Sequence, residues 1–267
     1  MHGNGANQDK PEALAIEVVG LCKTFGDITA VEDLSFTVPC GSVTALLGGN
    51  GAGKTTTISM LLGLILATSG AIKMLGLPMP AEKHEVLARV NFQSPYADLP
   101  KRLTVRENLM VYGRLYGLKN VKGRITELAD ELALGDLLNR PAGELSAGQK
   151  TRVGLAKSMI NKPELLLLDE PTASLDPDTA DWVRGYLERY QKRTGATILL
   201  ASHNMAEVER MANQVLMMKG GRVVDEGSPQ DLIDRYGRSN LEEVFLDIAR
   251  NGAHQGTHDT EELGESS

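Results

Sequence analysis

Residues 48–56 read Gly48-Gly49-Asn50-Gly51-Ala52-Gly53-Lys54-Thr55-Thr56, and the chain is arranged around them. The stretch fits the pattern G-x-x-x-x-G-K-[ST], with Gly48, Gly53, Lys54 and Thr55 in the fixed places. Its flanks fit as well: residues 42–47 are an apolar, β-rich run, and residues 56–62 read as a helix. Glycines let the backbone turn its N–H groups inward as an anion nest, and the helix N-terminus adds the positive end of its dipole. Lys54 is then placed for the β- and γ-phosphates, and the Thr55 hydroxyl for a Mg²⁺ shell. The stretch implies a nucleoside triphosphate site.

The bulk numbers narrow the setting. A chain of 267 residues, 42% hydrophobic, can bury a real core. A formal net charge of −7 argues against a surface that grips nucleic acid electrostatically. The only two cysteines, Cys22 and Cys40, have no ligand spacing and read as reduced core thiols. The longest apolar run, residues 60–67, is too short to span a membrane, and no signal segment opens the chain. A cytoplasmic location follows as the expectation, with docking on a membrane protein left open.

Working outward, residues 1–12 and 251–267 are polar and read as a disordered arm and a disordered acidic tail. Strands are expected over 14–21 and 30–38, with Cys22 to Asp27 forming a polar turn between them. Phe25 in that turn is open to two readings: a ring for an adenine to stack on, or a satellite-core contact. A short strand follows at 69–76, a helix at 81–89 and a strand at 90–93 ending in Gln93. Thr104 and Glu107 make a capping box, so a helix runs from there to about 116, with another over 121–134. Residues 94–161 thus read as an inserted helical subdomain. Ser146 and Gly148 stand ahead of a helix over 150–160; by themselves they suit either an N-cap or an anion contact.

Residues 165–168 are four leucines, as in a parallel strand buried on both faces, and Asp169 and Glu170 stand at its end. Open α/β sheets bind ligands at such ends. Asp169 suits the Mg²⁺ water shell, and Glu170 suits polarisation of an attacking water. A loop holding Asp176 leads to a helix over 178–192. Residues 196–203 repeat the buried-strand pattern and finish at His203, either a phosphate contact or a structural histidine. A hairpin over 214–226 and helices at 229–236 and 240–250 complete the order.

These motifs, in this order, resemble the ATP-binding cassette (ABC) ATPases over residues 14–250. The resemblance implies an α/β fold of the P-loop NTPase kind: a RecA-like parallel-sheet core, an N-terminal antiparallel β-subdomain and the helical insertion. It implies that Phe25 stacks on adenine and that Gly48, Gly49, Asn50, Gly51, Ala52, Gly53, Lys54, Thr55 and Thr56 cradle the phosphates. Gln93, with Thr55 and Asp169, is implied to serve Mg²⁺. Ser146 and Gly148 match the signature sequence, Asp176 the D-loop, and Glu170, His203 and Lys54 the hydrolytic set. Such ATPases work as head-to-tail dimers around two ATP molecules, so a second ATPase subunit is implied. Two departures stand out: Ala147 where the signature usually has glycine, and Gly49 where the phosphate loop more often has proline. A left-handed backbone at Ala147 would cost about 1 kcal/mol.

Residues 239–247 resemble the C-terminal helix of export-type members, which implies the ATPase subunit of an exporter with a separate membrane permease. That permease is expected to dock around residues 93–106, on Tyr96, Leu99 and Leu103. An importer ATPase is the alternative within transport. A soluble ABC protein acting on ribosomes or DNA is disfavoured by the single cassette and the acidic balance, and a P-loop kinase or GTPase by the signature and His203.

Overall fold

The computed structural model describes residues 13–94 and 99–251. The expected arm and most of the expected tail lie outside them, as does Tyr96. Two sheets organise the fold, and their element order explains both. Strands β1 (Leu14–Phe25) and β2 (Ile28–Pro39) form a long hairpin. β3 (Val43–Gly48) runs into the phosphate loop, and α1 (Lys54–Leu61) leaves it. β4 (Ser69–Met74) and β5 (Leu77–Met79) return to the hairpin, giving an antiparallel sheet in the order β2-β1-β4-β5.

After α2 (Lys83–Arg89) and β6 (Val90–Gln93) the chain is helical: α3 (Val105–Leu115), α4 (Val121–Glu131) and α5 (Ala147–Ser158). It re-enters the sheet at β7 (Leu165–Asp169), crosses through α6 (Pro177–Thr194) to β8 (Thr197–Ser202), and through α7 (Met205–Met211) to β9 (Gln214–Lys219). β10 (Arg222–Gly227), α8 (Pro229–Tyr236) and α9 (Leu241–Asn251) close the chain. The second sheet has the order β10-β9-β3-β8-β7-β6, parallel except for the β9–β10 hairpin.

Strand side chains alternate between faces, and here both faces are covered. Leu165 and Leu167 pack into the core shared with Ile16, Val31 and Leu34 of the antiparallel sheet. Leu166 and Leu168 point the other way, into the core that holds Leu109, Ile125 and Leu155 of the helical segment. All four leucines are fully buried. The same division in β8 sends Leu199 to the first core and Ile198 and Leu200 to the second.

Three local expectations change. β1 continues to Phe25, because Thr24 pairs with Thr29 and Phe25 with Ile28, leaving only Gly26 and Asp27 in the turn. α5 starts at Ala147 and not at residue 150, because Ser146 and Gln149 form a reciprocal capping box. α4 ends at Glu131, short of the expected 134.

Candidate functional site

The geometry begins with register. Leu47 pairs with Ser202 and Asp169 with Ala201, so β3, β7 and β8 finish level on one edge of the sheet. The phosphate loop, Glu170 and His203 therefore emerge together. A cleft of about 360 Å³ opens there, lined by Ile28 to Ala30, by the loop from Gly49 to Thr56, and by Asp169 and Glu170.

Two of the loop's glycines are sterically required. Gly53 has φ +101, and a Cβ there would sit 2.8 Å from the Ala30 carbonyl oxygen. A Cβ at Gly48 would lie 2.6 Å from the Met218 oxygen. No substituted residue fits at either place without moving backbone. Lys54 Nζ donates to the Gly48 carbonyl at 2.6 Å and to that of Gly49 at 3.3 Å. It also stands 3.7 Å from Glu170 Oε1.

Thr55 Oγ1 donates to Asp169 Oδ2 at 3.1 Å. Asp169 is 2% exposed, and its Oδ1 is buried with no hydrogen-bond partner. Burial, with the nearby Glu170 charge adding to it, pushes the Asp169 carboxyl above its ordinary pKa, against the Thr55 hydrogen bond and the Lys54 ammonium. A carboxylate oxygen left bare beside a hydroxyl suits a hard divalent cation such as Mg²⁺. No cluster of three or more His, Cys, Asp or Glu able to hold a metal occurs among the described residues. The donor set fits Mg²⁺ held by one or two protein groups plus phosphate oxygens.

His203 Nδ1 lies 2.8 Å from Glu170 Oε2. Glu170 itself has φ +51, a left-handed conformation that is costly for a residue with a long side chain. Its N–H donates to the Ala201 carbonyl at 2.8 Å, which ties the strained residue to the neighbouring strand. The carboxylate thus touches both a lysine and a histidine at the mouth of the cleft. Such a group can accept a proton from a water and can be oriented while doing so.

The other expected site residues are placed elsewhere. Phe25 is exposed at the end of β1, with Lys23 Nζ 4.7 Å over its ring, and does not line the cleft. Gln93 is buried, and its amide lies against α5, where a Cβ on Gly154 would sit 2.5 Å from Nε2. Ser146 caps α5 by accepting from Gln149 N at 3.3 Å. Gly148 abuts α6, where a Cβ would meet Thr179 Cγ2 at 3.1 Å; its glycine serves close packing, not a special torsion. Ala147 is the first residue of α5 and does not have positive φ, so its Cβ carries no torsional cost. Asp176 caps α6, and the Thr179 amide holds its carboxyl below the usual range. None of Gln93, Ser146, Gly148 or Asp176 lines the cleft of this one chain.

One buried group at this end of the sheet has no counterpart in the sequence reading. Glu207 in the first turn of α7 is fully buried and accepts from Thr172 Oγ1 at 2.8 Å and from Ser202 Oγ at 2.7 Å. A glutamate early in a helix reads as an exposed partner of the dipole, so nothing local signals its burial.

The model of the ABC transporter family matches residues 31–173. The Nod factor export ATP-binding protein I of a Rhizobium species is 38% identical over 234 residues, covering 87% of this chain and 77% of that protein. Its namesake from Rhizobium etli is 37% identical over 246 residues, covering 91% and 78%. A solved structure of the ATP binding subunit of an ABC transporter superposes with a TM-score of 0.81 at 28% identity, covering 88% of this chain and all of that one.

Proposed function

This chain belongs to the ABC transporter family as an ATP-binding, ATP-hydrolysing subunit, and we propose that it drives export through a separate permease at the cytoplasmic face of a membrane. The observation that supports hydrolysis at this site is the Glu170 carboxylate, 2.8 Å from His203 and 3.7 Å from Lys54 at the level strand ends. Export rests on the relatives, which are Nod factor export ATP-binding proteins. No helix among the described residues is long and apolar enough to cross a membrane.

In this reading the backbone N–H groups from Gly49 to Thr56 and the Lys54 ammonium hold the β- and γ-phosphates. Thr55 and Asp169 would hold Mg²⁺, with Gln93 as the further ligand that the family resemblance implies. Bound there, Mg²⁺ would neutralise charge building on the transferring phosphoryl group. Glu170 takes the proton of the attacking water, and His203 orients Glu170 and contacts the γ-phosphate. Phe25 stacks on the adenine. Ser146 and Gly148, turned away from their own cleft, serve the γ-phosphate bound by a second ATPase subunit, with Asp176 at the same junction. Hydrolysis then removes what holds the pair closed.

Glu170→Gln tests the assignment. ATP affinity should stay at the wild-type level while steady-state hydrolysis falls by about a hundredfold or more, because proton acceptance is lost and the cradle survives. ATP should then hold the variant as a dimer on size-exclusion chromatography. Lys54→Ala should instead weaken ATP binding. Wild-type turnover by the glutamine variant would remove Glu170 from the mechanism.

A further inference from the structure

Two short segments carry the hydrolytic pair. Glu170 opens the segment after β7, and His203 opens the segment after β8. Both are exposed to disturbance: Glu170 and Ser174 have φ values of +51 and +60, and His203 has a side chain 58% accessible to solvent. Strained residues keep their geometry only when their surroundings over-determine it. The question is what holds these segments at a fixed separation.

The link is Glu207. Its Oε1 accepts from Thr172, two residues beyond Glu170, and its Oε2 from Ser202, immediately before His203. Ser202 Oγ also accepts from Asn204 N at 3.0 Å, and Asn204 Oδ1 accepts from Glu207 N at 3.1 Å. One carboxylate thus joins the two segments through both its oxygens, while α7 is capped onto the same loop. Thr172 is 7% exposed, and Ser202 and Glu207 are wholly buried. In such a setting charge-assisted hydrogen bonds are short and directional, and losing one strands a buried group. The cost of burying a carboxylate argues that the bridge serves more than the stability of the fold.

We infer that Glu207 is a positioning residue for hydrolysis: it sets the spacing of Glu170 and His203 by tying Thr172 to Ser202. It does not line the cleft. The inference rests on Glu170 and His203 acting as proposed above. Burial raises the Glu207 pKa and the Glu170 charge adds to that, against the Ser202 and Thr172 hydrogen bonds and the Arg184 charge, which favour the ionised carboxylate.

Thr172→Val removes one arm with almost no change in shape, and Thr172→Ser restores it. In the full chain, Thr172→Val should lower kcat by about tenfold, since small misplacements of reacting groups are costly, with KM for ATP unchanged. Thr172→Ser should stay near wild type. Glu207→Ala should fall at least as far as Thr172→Val, whereas Glu207→Gln should recover most of the rate, because one hydroxyl can go on donating to its amide oxygen while the other reverses to accept from its amide N–H. In a Glu170→Gln background, Thr172→Val should slow single-turnover hydrolysis no further. A Thr172→Val enzyme with wild-type kcat, or one whose loss lies in KM, would overturn the bridge. Full turnover by Glu170→Gln alone would instead overturn the assignment on which the bridge rests.

Discussion

Asp169 shows how a single residue can be tuned for a ligand at the expense of the ligand-free fold. Its Oδ1 is buried without a partner, and burial raises its pKa, so ionisation costs more here than in water. Asp169→Asn keeps a hydrogen-bonding partner for Thr55 while removing the charge. The nucleotide-free variant should melt higher than wild type by about 2 °C or more. Added ATP and Mg²⁺ should raise its melting temperature far less than they raise that of wild type. Differential scanning fluorimetry with and without nucleotide checks both; a lower midpoint for the nucleotide-free variant would refute the argument. Asp169 and Glu170 are legible in the sequence because they follow four leucines directly. The orphaned oxygen is not, because it depends on what lies across the strand end.

Among the elements, α9 packs beside the phosphate loop. Leu241, Val244 and Ile248 are buried, at helical spacing, in the core that also holds Ala45 and Leu47 of β3. Phe245 faces the loop: a Cβ on Gly49 would lie 3.8 Å from its Cζ. Lys219 Nζ donates to the carbonyls of Ile248 and Ala249 at 2.7 and 3.0 Å, satisfying the helix's C-terminal end. Two residues along, Gly221 N donates to Ala52 O at 3.1 Å, so the same turn holds both helix and loop. Leu241→Ala should cost about 2–5 kcal/mol in urea unfolding, as for other fully buried leucines. Leu246→Ala, on the exposed side of the same helix, should change stability by less than about 0.5 kcal/mol. Equal losses would mean that α9 is not packed as described.

Element boundaries follow the same logic. The capping box at Thr104 can be read locally and begins α3 where expected. The end of β1 cannot, since Phe25 is held in the strand by Ile28 on the facing one. Arg124 is another case. It reads as a surface arginine, yet it is 8% exposed and donates to the carbonyls of Met159 and Ile160 beyond α5.

At the scale of the molecule, the helical segment and the parallel sheet share one core through Leu166, Leu168, Ile198 and Leu200. The helices therefore pack directly on the strands that end at the site. The expected permease contact surface lies on this segment; Leu99 packs against its core, while Tyr96 lies outside the described residues. A tagged copy of the chain, purified from detergent-solubilised membranes of its source cell, should bring down a multi-spanning membrane protein in equal amount. Ribosomal or DNA-processing proteins in its place would favour the soluble alternative and refute the permease.

By itself the sequence determined the phosphate loop, the two-faced burial of β7 and β8, the acidic pair after β7 and the order of motifs that marks the family. These depend on neighbours along the chain: glycine spacing, alternation and caps are local physics. Tertiary structure decided which of these groups meet. Lys54 reaches Glu170, and Thr172 and Ser202 reach Glu207, because β3, β8 and β7 lie side by side and end in register. That register is fixed by the packing of helices on both faces of the sheet, a property of the whole chain and of no segment within it.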